Sequence, residues 1–325
     1  MSTGLTKKDQ KRLMLFAGRS HPALANEVAS ILDVDLVPMR AVTYANSEIY
    51  VRFEESVRGS DAFVIQSHHA PVNEWMMEQL IMVDALKRAS AKRITVVSPF
   101  YPYARQDKKH AGREPISARL MADLYAAAGA TRIMSVDLHA AQIQGFFNGP
   151  VDHLHAMPLL SEYVAQKYGN EDLVVVSPDA GRVRMADQWT DKLGCTLAII
   201  HKRRDPNVAN TVAVHAVVGE VDGRVCLLVD DMIDTAGTIC LAADALMARG
   251  AKAVIAAATH AVLSGPAADR LNRSAFKEVI VTNTLPIDPS VNIECLTVLS
   301  IAPLIAKAIK EVFTEGSVTS LMNES

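Results

Sequence analysis

Short apolar runs alternate with amphipathic stretches along the whole chain. In the first half LMLFAG (13–18), DAFVIQS (61–67), RITVVSPF (93–100) and RIMSVDL (132–138) predict buried strands. Between them HPALANEVASIL (21–32), NEWMMEQLIMVDALKRA (73–89) and SARLMADLYAAAGA (117–130) place apolar residues at three- and four-residue intervals, the spacing of one helix face. Asn73 and Ser117 have the side chains to cap the second and third of these helices, and Gly129 to end the third.

The second half repeats the pattern. Strands are predicted at DLVVVSPD (172–179), TLAIIHK (196–202), RVCLLVDD (224–231), AVIAAAT (253–259) and EVIVTN (278–283), with helices at 158–168, 183–193, 238–250 and 303–313. Strands that alternate with helices form mainly parallel sheets flanked by helices, an α/β fold. The pattern restarts between Pro150 and Pro158, and 325 residues exceed a usual single core. Two domains are expected, 1–155 and 156–325.

Composition narrows the class. Half the residues are apolar and 21% are charged, as in soluble globular proteins. A net charge of −3 gives no global positive field, so neither nucleic acid nor a membrane surface is an expected partner. Anionic ligands then require local basic loops. Cys195, Cys226, Cys240 and Cys295 form no CxxC pair and point to thiols in a reducing compartment. The apolar patch near the N-terminus breaks at Gly18–Arg19, too early for a signal sequence, and no stretch is long enough to span a bilayer. The expected location is the cytoplasm.

In parallel sheets ligands bind beyond the carboxyl ends of the strands, and five loops there carry chemistry. LLVDDMIDTAGT (227–238) ends an apolar run on Asp230 and Asp231. Two carboxylates suit the adjacent hydroxyls of a ribose. The turn Asp234, Thr235, Ala236, Gly237, Thr238 then offers backbone N–H groups, hydroxyls and a helix N-terminus to a phosphate. The plainer alternatives are solvated acids and a helix cap at Asp234 or Thr235. No GK[ST] is present, so this is not a Walker A loop. In VVSPDAGRVRMA (175–186), Asp179 is either a ligand for Mg²⁺ or a helix cap.

The remaining loops are equally two-sided. VDLHAAQIQGFF (136–147) sets Asp137 and His139 one residue apart, on one face if the strand continues. His139 is either a structural hydrogen-bonding group or a phosphate contact, because magnesium prefers oxygen ligands. YARQDKKHAGREP (103–115) gathers Arg105, Lys108, Lys109 and Arg113 beside Gln106, which fits a solvated loop or a polyphosphate site. IIHKRRDPNVANTV (199–212) leaves a strand with Lys202, Arg203 and Arg204, which fits a basic hairpin or a cationic lid for phosphoryl transfer.

Hydrophobic residues followed by D-D-x-x-D-T-x-G-T match the phosphoribosyl diphosphate motif of the phosphoribosyltransferase fold. With YARQDKK, VDLHAAQIQGFF, SPDAGR and KRR in this order, the chain resembles the ribose-phosphate diphosphokinases from about Lys11 to Leu321. The resemblance implies two phosphoribosyltransferase-like domains and transfer of the diphosphoryl group of MgATP to O1 of ribose 5-phosphate. It also implies the following roles. Lys202 and Arg204 are catalytic, and Arg204 also lies near the sugar phosphate. Asp230 and Asp231 hold ribose hydroxyls, and Asp234, Thr235, Ala236, Gly237 and Thr238 hold the 5-phosphate. Arg105, Gln106 and His139 bind ATP, with Asn46, Ser47 and Glu48 of a neighbouring subunit completing the adenine pocket. His139 and Asp179 match the magnesium positions. A homo-oligomer, usually a hexamer, is implied. An effector site for ADP and phosphate would use Gln144, Asp152, Ser317 and Thr319.

The chain departs from the family pattern at several of these places. Arg182 follows Gly181 where most relatives have a second glycine, Asn46–Ser47 replaces Asp-Gly, and Ala236 replaces Gly or Cys. Ala236 is tolerable there if its φ is negative. At the effector positions Ala141, Asn148 and His153 also depart. The rival readings are a phosphoribosyltransferase, which shares the acidic loop but needs one domain, and a non-catalytic synthetase-associated subunit. Retention of Lys202, Arg204, His139 and the acidic loop favours an active enzyme.

Overall fold

The computed structural model describes residues 11–203 and 214–318, and the side chains of 202, 203, 214 and 215 are not part of that description. The chain forms two compact units. The first holds β1 (Leu13–Ala17), α1 (Pro22–Leu32), β2 (Met39–Thr43), β3 (Ile49–Phe53), β4 (Asp61–Ile65), α2 (Val72–Arg88), β5 (Arg93–Val97), α3 (Ser117–Ala128), β6 (Arg132–Val136) and β7 (Val151–Leu154). Its five-stranded sheet has the order β1-β4-β5-β6-β7, parallel throughout, and β2 and β3 form a separate antiparallel hairpin.

The second unit holds α4 (Met157–Tyr168), β8 (Leu173–Ser177), α5 (Val183–Leu193), β9 (Thr196–Arg203), β10 (Val214–Val218), β11 (Val225–Ile233), α6 (Gly237–Ala248), β12 (Ala253–Ala261), α7 (Ala267–Asn272), β13 (Phe276–Thr282) and β14 (Leu296–Leu299). Its seven strands are ordered β10-β9-β8-β11-β12-β13-β14, and only β10 runs antiparallel to its neighbour. Cys226, Leu227, Leu228 and Val229 at the centre of β11 are fully buried. Continuous burial explains why the core strands read as unbroken apolar runs, since helices cover both faces of a parallel sheet. Each such aliphatic side chain contributes about 1.5–3 kcal/mol relative to exposure.

The domain boundary falls between Leu154 and His155, but the second domain does not run to the C-terminus. The final helix α8 (Ala302–Thr314) belongs to the first unit, where it packs on α1. Its buried side chains Ile305, Ala306, Ala308 and Ile309 cover a face there. An amphipathic pattern reports that a helix has a partner and not which one. Two expected caps are also corrected. The N-cap positions are Pro71 for α2 and Ile116 for α3, so Asn73 and Ser117 lie inside their helices. Tertiary partners claim both side chains, since Asn73 accepts from the Tyr103 hydroxyl and Ser117 donates to Gln106 Oε1 at 2.6 Å. Gly129 does end α3, at φ +120°. No helix among the described residues is long and apolar enough to cross a membrane.

Candidate functional site

The order of the second sheet reverses between β8 and β11. From β8 the chain moves by α5 to β9 on one side, and from β11 it moves by α6 to β12 on the other. The two loops leaving such a reversal diverge and open a crevice at the carboxyl end. Pairing of β8 with β11 stops at Val176–Leu228, whereas β11 stays paired with β12 as far as Ile233–Ala261. Asp230 and Asp231 therefore lie within β11 and not at its end, just past the last rung shared with β8.

Asp231 is 4% exposed, and Asp230 is half-buried beside it. Burial pushes the Asp230 carboxyl well above the usual range, the adjacent Asp231 charge adds to this, and Arg182 opposes it. The guanidinium of Arg182 reaches both acids, with Nε 3.1 Å from Asp230 Oδ1 and Nη2 2.6 Å from Asp231 Oδ1. Asp179 Oδ1 accepts from the N–H groups of Gly181 (2.8 Å) and Arg182 (3.1 Å), so it caps the short 3₁₀ turn that carries Arg182.

Behind the acids, the helix-cap reading of Asp234 and Thr235 fails. The N-cap of α6 is Ala236, which has no side chain to bond. Asp234 instead accepts from the Ser264 hydroxyl, and Arg270 Nη1 donates to the Thr235 carbonyl at 2.8 Å. Thr235 and Thr238 are exposed beside the open first turn of α6, whose leading N–H groups have no helical partner. Sequence reasoning passed over Ser264 and Arg270. The available signal was the segment that follows β12, with Ser264 in the loop and Arg270 in α7.

Ala236 has φ +58°, against the condition set for it from sequence. A left-handed alanine costs about 1–2 kcal/mol, while glycine costs about 0.4–1 kcal/mol through the unfolded chain. The Ala236 methyl is also buried in the core, worth about 0.8 kcal/mol, so Ala236→Gly is expected to change stability by less than about 1 kcal/mol, read as a nearly unmoved urea midpoint at unchanged m-value.

The chain is similar to known proteins along most of its length. Residues 13–129 match the N-terminal domain of ribose phosphate pyrophosphokinase, and residues 206–323 match the phosphoribosyl synthetase-associated domain. The chain is 65% identical over 322 residues to the ribose-phosphate pyrophosphokinase of Streptomyces coelicolor, covering 99% of each chain. It is 60% identical over 316 residues to that of Corynebacterium glutamicum, covering 97% of each. The crystal structure of phosphoribosylpyrophosphate synthetase from Mycobacterium smegmatis superposes with a TM-score of 0.90 at 62% identity, covering 94% of this chain and 100% of that one. The chain belongs to the ribose-phosphate pyrophosphokinase family.

Similarity along the full length of enzymes in this family disfavours the single-domain transferase and the regulatory subunit. The other residues expected from the pyrophosphokinase resemblance fall in separate places. In the first unit, Asn46, Ser47 and Glu48 form the exposed tip of the β2–β3 hairpin. Ser47 has φ +72°, and the tip closes through Tyr44 N–H to Glu48 O at 2.8 Å. Arg105 is exposed, and Gln106 is tied to α3 through Ser117. Because β6 ends at Val136, strand alternation does not extend to Asp137 and His139, and Asp137 adopts φ +37°.

The expected effector residues take different partners. Gln144 Nε2 lies 3.3 Å from His153 Nδ1, whereas Asp152 pairs with Arg132 at 2.7 Å. Arg132 also lines a cavity of about 400 Å³ with Arg93, Glu315, Gly316 and Val318, whereas Ser317 is exposed and does not line it. Lys202 lies on the backbone of β9. Arg204 and Thr319 lie outside the described residues.

Proposed function

We propose that this chain transfers the diphosphoryl group of MgATP to O1 of ribose 5-phosphate, giving 5-phosphoribosyl 1-diphosphate and AMP. The observation that carries the reading is the acidic pair Asp230–Asp231 at the sheet reversal, followed by the open turn Asp234–Thr238. Carboxylates accept hydrogen bonds from vicinal hydroxyls, and a helix N-terminus receives the 5-phosphate. Attack by the anomeric hydroxyl on the β-phosphorus expels AMP, so catalysis consists of alignment and charge stabilisation. Lys202 and Arg204 supply that charge, while Arg105, Gln106 and His139 hold ATP.

The divalent ion is Mg²⁺, which favours oxygen ligands. With Oδ1 of Asp179 committed to two N–H groups, its Oδ2 fits as a ligand, and His139 suits a phosphate better than the metal. When bound, the ion neutralises phosphate charge. A homo-oligomer completes the adenine pocket through Asn46, Ser47 and Glu48, and a hexamer is the favoured assembly. The exposed apolar side chains Ile116, Leu120 and Leu124, one turn apart, support association through the first unit. ADP and phosphate are effectors in this reading, with the cavity beside Arg132 and Ser317 as their region. The four free thiols accord with a cytoplasmic enzyme.

Incubation with MgATP and ribose 5-phosphate is expected to yield AMP and phosphoribosyl diphosphate in equal amounts. Release of ADP would mean that a different phosphate bond is broken. Absence of product at all Mg²⁺ and phosphate concentrations, with ATP bound, would remove the proposed activity.

A further inference from the structure

The side chain of Arg182 occupies the position that the proposed function gives to the sugar. Its main chain is fixed, because its N–H and that of Gly181 both donate to Asp179 Oδ1. Its guanidinium spans both acids, at 3.1 Å from Asp230 and 2.6 Å from Asp231. The Asp231 side chain is only 5% exposed, so a hydroxyl cannot reach it while the guanidinium lies against it. With no ligand bound, these buried carboxylate oxygens also need hydrogen-bond donors, because unsatisfied acceptors in a poorly solvated site are costly.

Resting on the assignment of Asp230 and Asp231 to the ribose hydroxyls, we propose that Arg182 is a displaceable latch on the sugar site. In the sugar-free chain it satisfies the acids. Ribose 5-phosphate binds by exchanging its hydroxyl donors for the guanidinium donors, and Arg182 thereby sets the apparent affinity for the sugar. Hydroxyls and guanidinium are both donors, so the exchange leaves neither carboxylate unsatisfied. Only the side chain has to move, and Arg182 is a positioning residue in this role. A latch closed for about 70–90% of the time weakens apparent binding about 3–10-fold.

The test is titration of ribose 5-phosphate into the full chain loaded with Mg²⁺ and α,β-methylene-ATP, in which the transferred bond cannot break. R182Q removes the charge and most donors, and is expected to tighten the sugar Kd about 3–10-fold. R182K keeps a charge but cannot span both acids, and should fall between R182Q and the parent. D230N should weaken binding at least about tenfold, from loss of a charge-assisted hydrogen bond. If R182Q binds the sugar equally or more weakly while D230N is weakened, the latch is wrong and Arg182 only supports the carboxylates. If D230N is unchanged, whatever R182Q does, the sugar is not on the pair and the underlying assignment fails. Should R182Q not fold, R182K must still tighten binding or the latch is overturned.

Discussion

Alanine at Lys202 is expected to lower the rate of AMP release by about 10²–10³, the loss seen when a preorganised charge-stabilising donor is removed. The reason is its position along the sheet. β9 runs parallel to β8, and their pairing ends at Ser177–Ile199. Residues 200–203 continue past that rung, paired with β10 alone, including Lys202 opposite His215. At about 3.3 Å per residue, the backbone at 202 stands roughly 10 Å beyond the last rung shared with β8. This is the same sheet end from which the Asp179 turn and the Asp230–Asp231 segment emerge. In the proposed reaction a cation there acts on charge that develops during transfer. Accordingly kcat and kcat/KM should fall together while the KM for ribose 5-phosphate changes little. A raised KM with kcat intact would instead make Lys202 a substrate-holding residue.

Much of this sheet end was legible from sequence because parallel core strands are buried on both faces. The runs at 61–67, 93–100 and 172–179 each contain an observed strand, and the run at 224–231 covers most of β11. The strands β2, β3, β7, β10 and β14 were not foreseen. β2 and β3 form a partly exposed hairpin, while β7, β10 and β14 are short and lie at sheet edges. Such strands bury one face or less, so their sequences show neither a long apolar run nor a strict alternation. The same limit applies to α8, whose periodicity showed a buried face but not the unit that buries it.

The acidic loop illustrates the limit within the site. Its residue types pointed to sugar and phosphate chemistry as an expectation, and the strand was expected to stop on the acids. It continues to Ile233 because β12 still offers backbone partners after β8 has turned away. The left-handed Ala236 has a related origin: φ there is set by the turn into α6 and by contacts of the neighbouring Ser264–Arg270 segment, more than 25 residues on. Arg182 was visible as a departure from the family pattern. Its placement across both carboxylates depends on a rotamer, which sequence does not encode locally.

The second large effect concerns stability, elsewhere in the second unit. The Glu278 carboxylate on β13 has a side chain 6% exposed and accepts from Tyr163 (2.7 Å), Lys167 (2.9 Å), Tyr168 (2.5 Å) and Thr297 (2.6 Å). It thereby joins α4 to β13 and β14. Burial alone would raise its pKa, but the hydrogen bonds from Thr297, Tyr168, Lys167 and Tyr163 outweigh it and hold the group at about 2. Glu278→Ala leaves the hydroxyl donors Tyr163, Tyr168 and Thr297 facing a void, with Lys167 half exposed to solvent, and is expected to cost about 3–5 kcal/mol from several lost hydrogen bonds to a charged group. The melting temperature should fall by on the order of 10 °C, while the folded fraction keeps its kcat. The pH dependence separates charge from packing. A folded-state pKa below the ordinary 4.5 gives stability that is complete above about pH 5 and is lost as pH falls towards 2. The displacement corresponds to about 3 kcal/mol. Urea titrations of the parent and Glu278→Gln should therefore differ most near neutral pH and converge as the pH approaches 2. A constant difference across that range would assign the effect to packing rather than to the buried charge.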